Sequence, residues 1–177
     1  QTTLPLPALR RGVFFIRVLV APLTDVLAVA PARAGELCDA LASMSEAVVV
    51  PEFAAIKIDQ RVPFDIASLI GCSVGTGYGA VVNNARVVAG ESAVVVGSGG
   101  VGLSIISALR LAGATPISAV DVSEAQLAEA LRAGATHGLM GGPDLAERVS
   151  ELTDGGADVA FEAIGRVATM AQLPDLI

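Results

Sequence analysis

From Val87 to the C-terminus the apolar positions alternate between two periods. "AVVV" at 93–96 is a run of small and β-branched residues, and after it apolar positions recur at helical spacing over 101–112. "PISAVDV" is followed by a second helical pattern over 123–133, "HGLM" by a third over 143–153, and "DVAFEAIG" closes the series as a fourth strand. Four apolar strands separated by amphipathic helices predict parallel pairing with helical crossovers, an α/β architecture.

Upstream the pattern is less regular. "EAVVVPEFAAIKI" at 46–58 predicts two short strands broken at Pro51, and "VFFIRVLVA" predicts a strand buried on both faces. In "VPFDIASLIGCSVGTGYGAVVNNA", Pro63 suits a first helical turn, and Ile66, Leu69 and Ile70 share one helical face. The glycines at 71, 75, 77 and 79 each cost a helix about 1 kcal/mol against alanine. Either the helix breaks here, or another backbone or a ligand approaches closely.

Composition narrows the function classes. The 177 residues are 53% hydrophobic, enough for a buried core, and carry a net charge of −7 with one lysine. The ten arginines are scattered, so no basic stripe is available to neutralise a nucleic-acid backbone. Two cysteines, Cys38 and Cys72, are too few for a disulfide framework and point to a reducing, cytoplasmic compartment. Arg10–Arg11, the apolar run after them and "APARA" have the outline of a cleaved leader, but Arg17 and Asp25 interrupt the run. No stretch reads as long and apolar enough to cross a membrane, so no membrane partner is expected.

The chemistry-bearing motif lies between the first strand and helix of the alternating region. "GSGGVG" at 97–102 has the Gly-x-Gly-x-x-Gly spacing and directly links a strand to a helix, the context in which that spacing binds a dinucleotide. Gly97 permits the tight turn, Gly99 lets a pyrophosphate meet bare backbone, and Gly102 lets helix and strand lie close. The helix N-terminus adds unpaired N–H groups and about half a positive charge. Asp121 ends the second strand nineteen residues after Gly102, placed to accept the adenosine ribose hydroxyls. It would repel a 2′-phosphate by roughly 4 kcal/mol for unit charges about 4 Å apart at an effective dielectric near 20, so NAD is preferred to NADP. The alternative role for Asp121 is to cap the helix starting near Ser123, and the two roles are compatible. A P-loop is excluded because Leu103 stands where its lysine would be.

From about Met44 to Ile177 the chain resembles the zinc-containing medium-chain alcohol dehydrogenases, including the branch acting on S-hydroxymethyl thiol adducts of formaldehyde. The resemblance is carried by "SEAVVVPE", "GCSVGTGYGAVVNNARV", "VVVGSGGVGLSIISALRLAGA", "AVDV", "LRAGATH" and "LTDGGADVAFEAIGR". It implies a truncated, β-rich GroES-like catalytic domain over 1–72. It further implies a Rossmann domain over 73–177, with sheet order 3-2-1-4-5-6 but without its last two strands. The implied activity is hydride transfer between a small alcohol or aldehyde and NAD, with zinc as Lewis acid, in an enzyme that is usually a homo-oligomer.

Carried over residue by residue, the resemblance makes Cys72 a catalytic zinc ligand. Thr76 would lie beside the nicotinamide and Ile164 near the adenine, with Gly97, Gly99, Gly100, Val101 and Gly102 contacting the coenzyme. Thr24, in "IRVLVAPLTDVLAV", corresponds to the hydroxyl that relays the substrate proton. The Cys-His pair that precedes that hydroxyl in the family is absent, as is the Gly-His-Glu segment that supplies the histidine ligand. The one histidine, His137, falls at the edge of the sheet, and Cys38 stands without the other cysteines of the family's structural-zinc lobe. Two expectations follow: an NAD-dependent, zinc-assisted alcohol dehydrogenase, or a dinucleotide-binding remnant that no longer turns over.

Overall fold

A computed structural model describes residues Thr3–Pro5, Gly12–Phe15 and 57–177 of the chain. Its contacts divide the polypeptide into two compact units, Gln1–Val18 with Phe64–Ile177, and Leu19–Pro63. Of the second unit, 57–63 are described: Val62 N–H closes a turn on the Asp59 carbonyl at 3.1 Å, and the Arg61 guanidinium meets the Asp59 carboxylate at 2.6 Å. That pair is exposed, and it holds the Asp59 carboxyl below its usual range. The GroES-like character expected for 1–72 falls mainly on residues outside those described.

The first unit is an α/β sheet of six strands, β1 (Thr3–Pro5), β2 (Gly12–Phe15), β3 (Ala93–Val96), β4 (Ile117–Asp121), β5 (His137–Met140) and β6 (Val159–Glu162). Their order is β1-β2-β6-β3-β4-β5, parallel throughout except for the β1–β2 pair. Read from β5, the first four positions reproduce the expected Rossmann order. The fifth and sixth positions are filled from the N-terminal end, by β2 in register with β6 (Gly12 opposite Val159, Phe15 opposite Glu162) and then by β1. "VFFIRVLVA" therefore begins, over Val13–Phe15, as a strand of this same sheet.

The helices between strands are α2 (Gly100–Ala112), α3 (Glu124–Ala133) and α4 (Leu145–Thr153), followed after β6 by α5 (Val167–Gln172) and a 3₁₀ turn (Leu173–Leu176). Strand residues alternate between two cores, which is why the strands read as continuously apolar. Ala93, Val95, Ile117, Ala119 and Phe161 face Ile105, Ile106, Leu109 and Leu127. Val94, Val96, Val120 and Ala160 face Leu145, Val149, Leu173 and Leu176.

Before β3 runs α1, a helix in four contiguous segments: Phe64–Leu69 and Gly75–Gly79 with α geometry, Ile70–Val74 and Ala80–Ala85 with π geometry. The glycines do not break it. Instead Gly77 meets α2 so closely that a Cβ there would lie 2.6 Å from the Ser104 Cβ and 2.7 Å from the Ile105 nitrogen. The helix passes through Cys72 without interruption. One sequence expectation is corrected here: α1 runs 21 residues over Asp65–Ala85 and contains an 18-residue window of mean hydropathy 1.3, long and apolar enough to cross a membrane by those two measures alone.

Candidate dinucleotide site

The turn between β3 and α2 is fixed by backbone geometry. Gly97 adopts φ +97°, a left-handed conformation that L side chains rarely take, and donates its N–H to the Val120 carbonyl at 2.8 Å. A Cβ on Gly102 would run into the Gly97 carbonyl oxygen, so α2 can start this close to β3 only with glycine there. Gly99 is different. It is the N-cap of α2 in extended conformation, and a Cβ added there would meet nothing within 4 Å. No side chain caps α2, so its first N–H groups face the open side of the turn where Gly99 and Gly100 are exposed.

Asp121 braces this turn from the next strand. Its Oδ2 accepts the Ser98 N–H at 2.8 Å and its Oδ1 accepts the Ser123 N–H at 3.0 Å. The carboxylate thus connects the glycine turn to the entry of α3, where Ser123 caps the helix through Gln126. Ser98 is fully buried, and its Oγ has no hydrogen-bond partner. An orphaned hydroxyl inside the turn, an open face at Gly99 and an uncapped helix N-terminus together fit an anionic, hydrogen-bonding group such as a pyrophosphate.

Other sequence-singled residues gather around the turn. Ile164, in the loop after β6, lies against Gly97: a Cβ there would be 2.6 Å from the Ile164 Cγ1. Val101 is half-buried against the core beneath. Cys72 is an exposed free thiol on α1 and Thr76 is exposed one turn on, while Ser73 between them is the nearest neighbour of Gly100. Hence the Cys72–Thr76 stretch flanks the start of α2.

The structure does not bring a metal centre together around Cys72. Among the described residues, no group of three or more His, Cys, Asp or Glu side chains is placed to hold an ion. His137 sits on β5, an edge strand separated from β3 by β4, with its Nδ1 2.9 Å from the Thr136 hydroxyl. Thr24 and Cys38 lie outside the described residues.

Two residues carry more than their sequence context suggested. Ser98, given no role by the motif, is the buried residue whose N–H Asp121 holds. Glu162, inside the quoted "FEAIG", is fully buried at the end of β6 although it is charged. A lone carboxylate ending an apolar strand, three residues before a glycine, was the available signal.

The match to known proteins agrees with this geometry. Residues 100–177 match the zinc-binding dehydrogenase family. The fold resembles an alcohol dehydrogenase zinc-binding domain protein from Burkholderia ambifaria, at 40% identity and TM-score 0.66, over 69% of this chain and 33% of that one. It also resembles the benzyl alcohol dehydrogenase of Acinetobacter calcoaceticus (37% identity, TM-score 0.63, 69% of this chain and 34% of that one). A third likeness is the alcohol dehydrogenase of the hyperthermophilic archaeon Aeropyrum pernix (31%, TM-score 0.61, 69% and 37%). The chain spans about a third of the length of these relatives. The Rossmann order of β5-β4-β3-β6 and the glycine turn agree with these likenesses to zinc-type alcohol dehydrogenases.

Proposed function

We propose that this chain binds NAD at the β3–α2 turn and serves as the coenzyme-binding part of a zinc-type alcohol dehydrogenase. The observation that carries the reading is the Ser98–Asp121 hydrogen bond, which joins the pyrophosphate turn and the ribose-recognising carboxylate into one rigid unit. Gly99 and Gly100 would meet the pyrophosphate through bare backbone, Asp121 would accept from the ribose through lone pairs that Ser98 and Ser123 leave free, and Ile164 would cover the adenine side. When bound, NAD supplies a hydride acceptor for an alcohol carbon. The chain's own part is to hold and orient that acceptor, since positioning of reacting groups accounts for much of the barrier lowering in two-substrate reactions.

A zinc centre asks more than the described residues offer. Catalytic zinc takes three protein ligands and an open position, and among the described residues no group of three His, Cys, Asp or Glu side chains gathers around Cys72. This favours a second reading, dinucleotide binding without turnover by the 177-residue chain. Metal analysis with an assay of alcohol-dependent NAD reduction separates the two: substoichiometric zinc and no turnover support the second, one tightly held zinc with turnover supports the first.

Coenzyme choice tests the site itself. NAD should bind at least roughly tenfold more tightly than NADP, because the Asp121 carboxylate faces the 2′ position. Asp121→Ala should narrow that gap by raising the Kd for NAD and lowering the Kd for NADP. Equal titration curves for the two coenzymes with the unmodified chain would overturn the reading.

A further inference from the structure

The β6 end of the sheet holds a buried acid that coenzyme recognition as described does not use. Glu162 is the last residue of β6, opposite Val96, the residue immediately before the glycine turn. It lies at the point where the order reverses, since β3 leads to β4 on one side and β6 returns to its other side. In such sheets the ligand crevice opens at the carboxyl ends of these two strands.

The Glu162 carboxylate has no exposed surface and is met by donors from the loop that follows it and from the start of α5. Its Oε1 accepts the Ile164 N–H at 3.1 Å and the Thr169 hydroxyl at 2.7 Å, and the Gly165 N–H lies 2.9 Å from Oε1 and 3.0 Å from Oε2. Ala163 N–H is meanwhile held by the Val96 carbonyl at 2.8 Å. A buried carboxylate is costly unless donors replace the water it has lost, and here two backbone N–H groups and one hydroxyl do so. The same bonds leave the loop little freedom: with Ala163 tied to β3 and Gly165 bent to φ +85°, Ile164 is laid against Gly97.

We infer that Glu162 is a positioning residue of the coenzyme crevice: by gathering the N–H groups of Ile164 and Gly165 and the hydroxyl of Thr169, it fixes the loop from Ala163 to Arg166 as the wall facing the pyrophosphate turn. The inference rests on the coenzyme reading above. Glu162 touches no part of the proposed coenzyme position itself and acts through Ile164. Glutamine would not serve equally: its one oxygen can take the Oε1 place with the three donors, but it carries no charge and turns an N–H₂ toward the Gly165 N–H where Oε2 accepts it.

Full-length Glu162→Gln, Thr169→Val and the unmodified chain should be compared by NAD titration and by amide exchange in NMR. In Glu162→Gln, exchange at Ile164 and Gly165 should quicken while Val94 and Val95 in β3 keep their protection. The Kd for NAD should rise roughly tenfold, the equivalent of one hydrogen bond to a charged group. Thr169→Val, which leaves the carboxylate in place, should raise the Kd by a smaller factor of about three, as for loss of a weaker single bond. Unchanged NAD affinity in a folded Glu162→Gln protein overturns the inference, and so does faster exchange spread evenly over β3 and β6 without a change in Kd. Should Glu162→Gln fail to fold, Thr169→Val decides: a raised Kd with protected β3 amides supports the role, an unchanged Kd refutes it. If the unmodified chain binds no NAD, the coenzyme reading falls and takes this inference with it, an outcome distinct from normal binding that the variants leave untouched.

Discussion

Two stretches of this chain are rich in glycine, 71–79 and 97–102, and they use it for opposite ends. In the first, Gly77 removes a side chain so that two helices can touch, and the space is filled by Ser104 and Ile105 of α2. In the second, Gly97 and Gly102 are equally crowded by protein, but Gly99 between them faces open space at a helix N-terminus. Glycine density by itself therefore marks close approach. Whether the approaching group is another part of the chain or a ligand is decided position by position, by what a Cβ would meet.

That contrast can be broken most severely at Gly102. In Gly102→Ala the new methyl would collide with the Gly97 carbonyl, so stability should fall by about 3 kcal/mol or more, the upper end of overpacking costs, seen as a lowered denaturation midpoint. Gly77→Ala should cost about 2 kcal/mol, because the clash with Ser104 and Ile105 exceeds the helix-propensity gain of roughly 1 kcal/mol. If Gly77→Ala is as stable as the parent, the two helices are not held at that distance. Gly99→Val sharpens the comparison from the other side. Its extended backbone accepts valine, so stability should change by about 1 kcal/mol or less, yet NAD binding should be lost. Retained NAD affinity would make the turn a packing feature like Gly77. The smallest effect is expected at Gly71, exposed in α1 with nothing within 4 Å of a Cβ: Gly71→Ala should stabilise by about 0.5–1 kcal/mol and raise the melting temperature.

The legible part of the fold was the part governed by local periodicity. Strands β3 to β6 and helices α2 to α4 stand within a few residues of their apolar patterns, since each buries a face that its own sequence marks. The spacing from Gly102 to Asp121 likewise anticipated a carboxylate beside the turn. What it could not convey was the Ser98 N–H that the carboxylate holds, because backbone donors leave no trace in a pattern of side chains. Glu162 was opaque for the same reason: its partners are two backbone N–H groups and a hydroxyl from the turn beyond it. For α1 the glycines left two readings open, a break or a close approach, and the contact of Gly77 with Ser104 and Ile105 decides for the second. The slot taken by β2 was hidden because pairing with a distant strand has no local signature.

That slot bears on the order in which the molecule assembles. Each of β3, β4 and β5 finds its neighbour across one helix, whereas β2 pairs with β6 from nearly the opposite end of the polypeptide. Closing so long a loop carries the largest entropic cost of any contact in the sheet, and contacts of that span slow folding. β2, paired with β1 on one side, gains its neighbour on the other only once Val159–Glu162 is available. Of the strand pairs in this sheet, β2–β6 joins the residues farthest apart in sequence and is the one expected to form last.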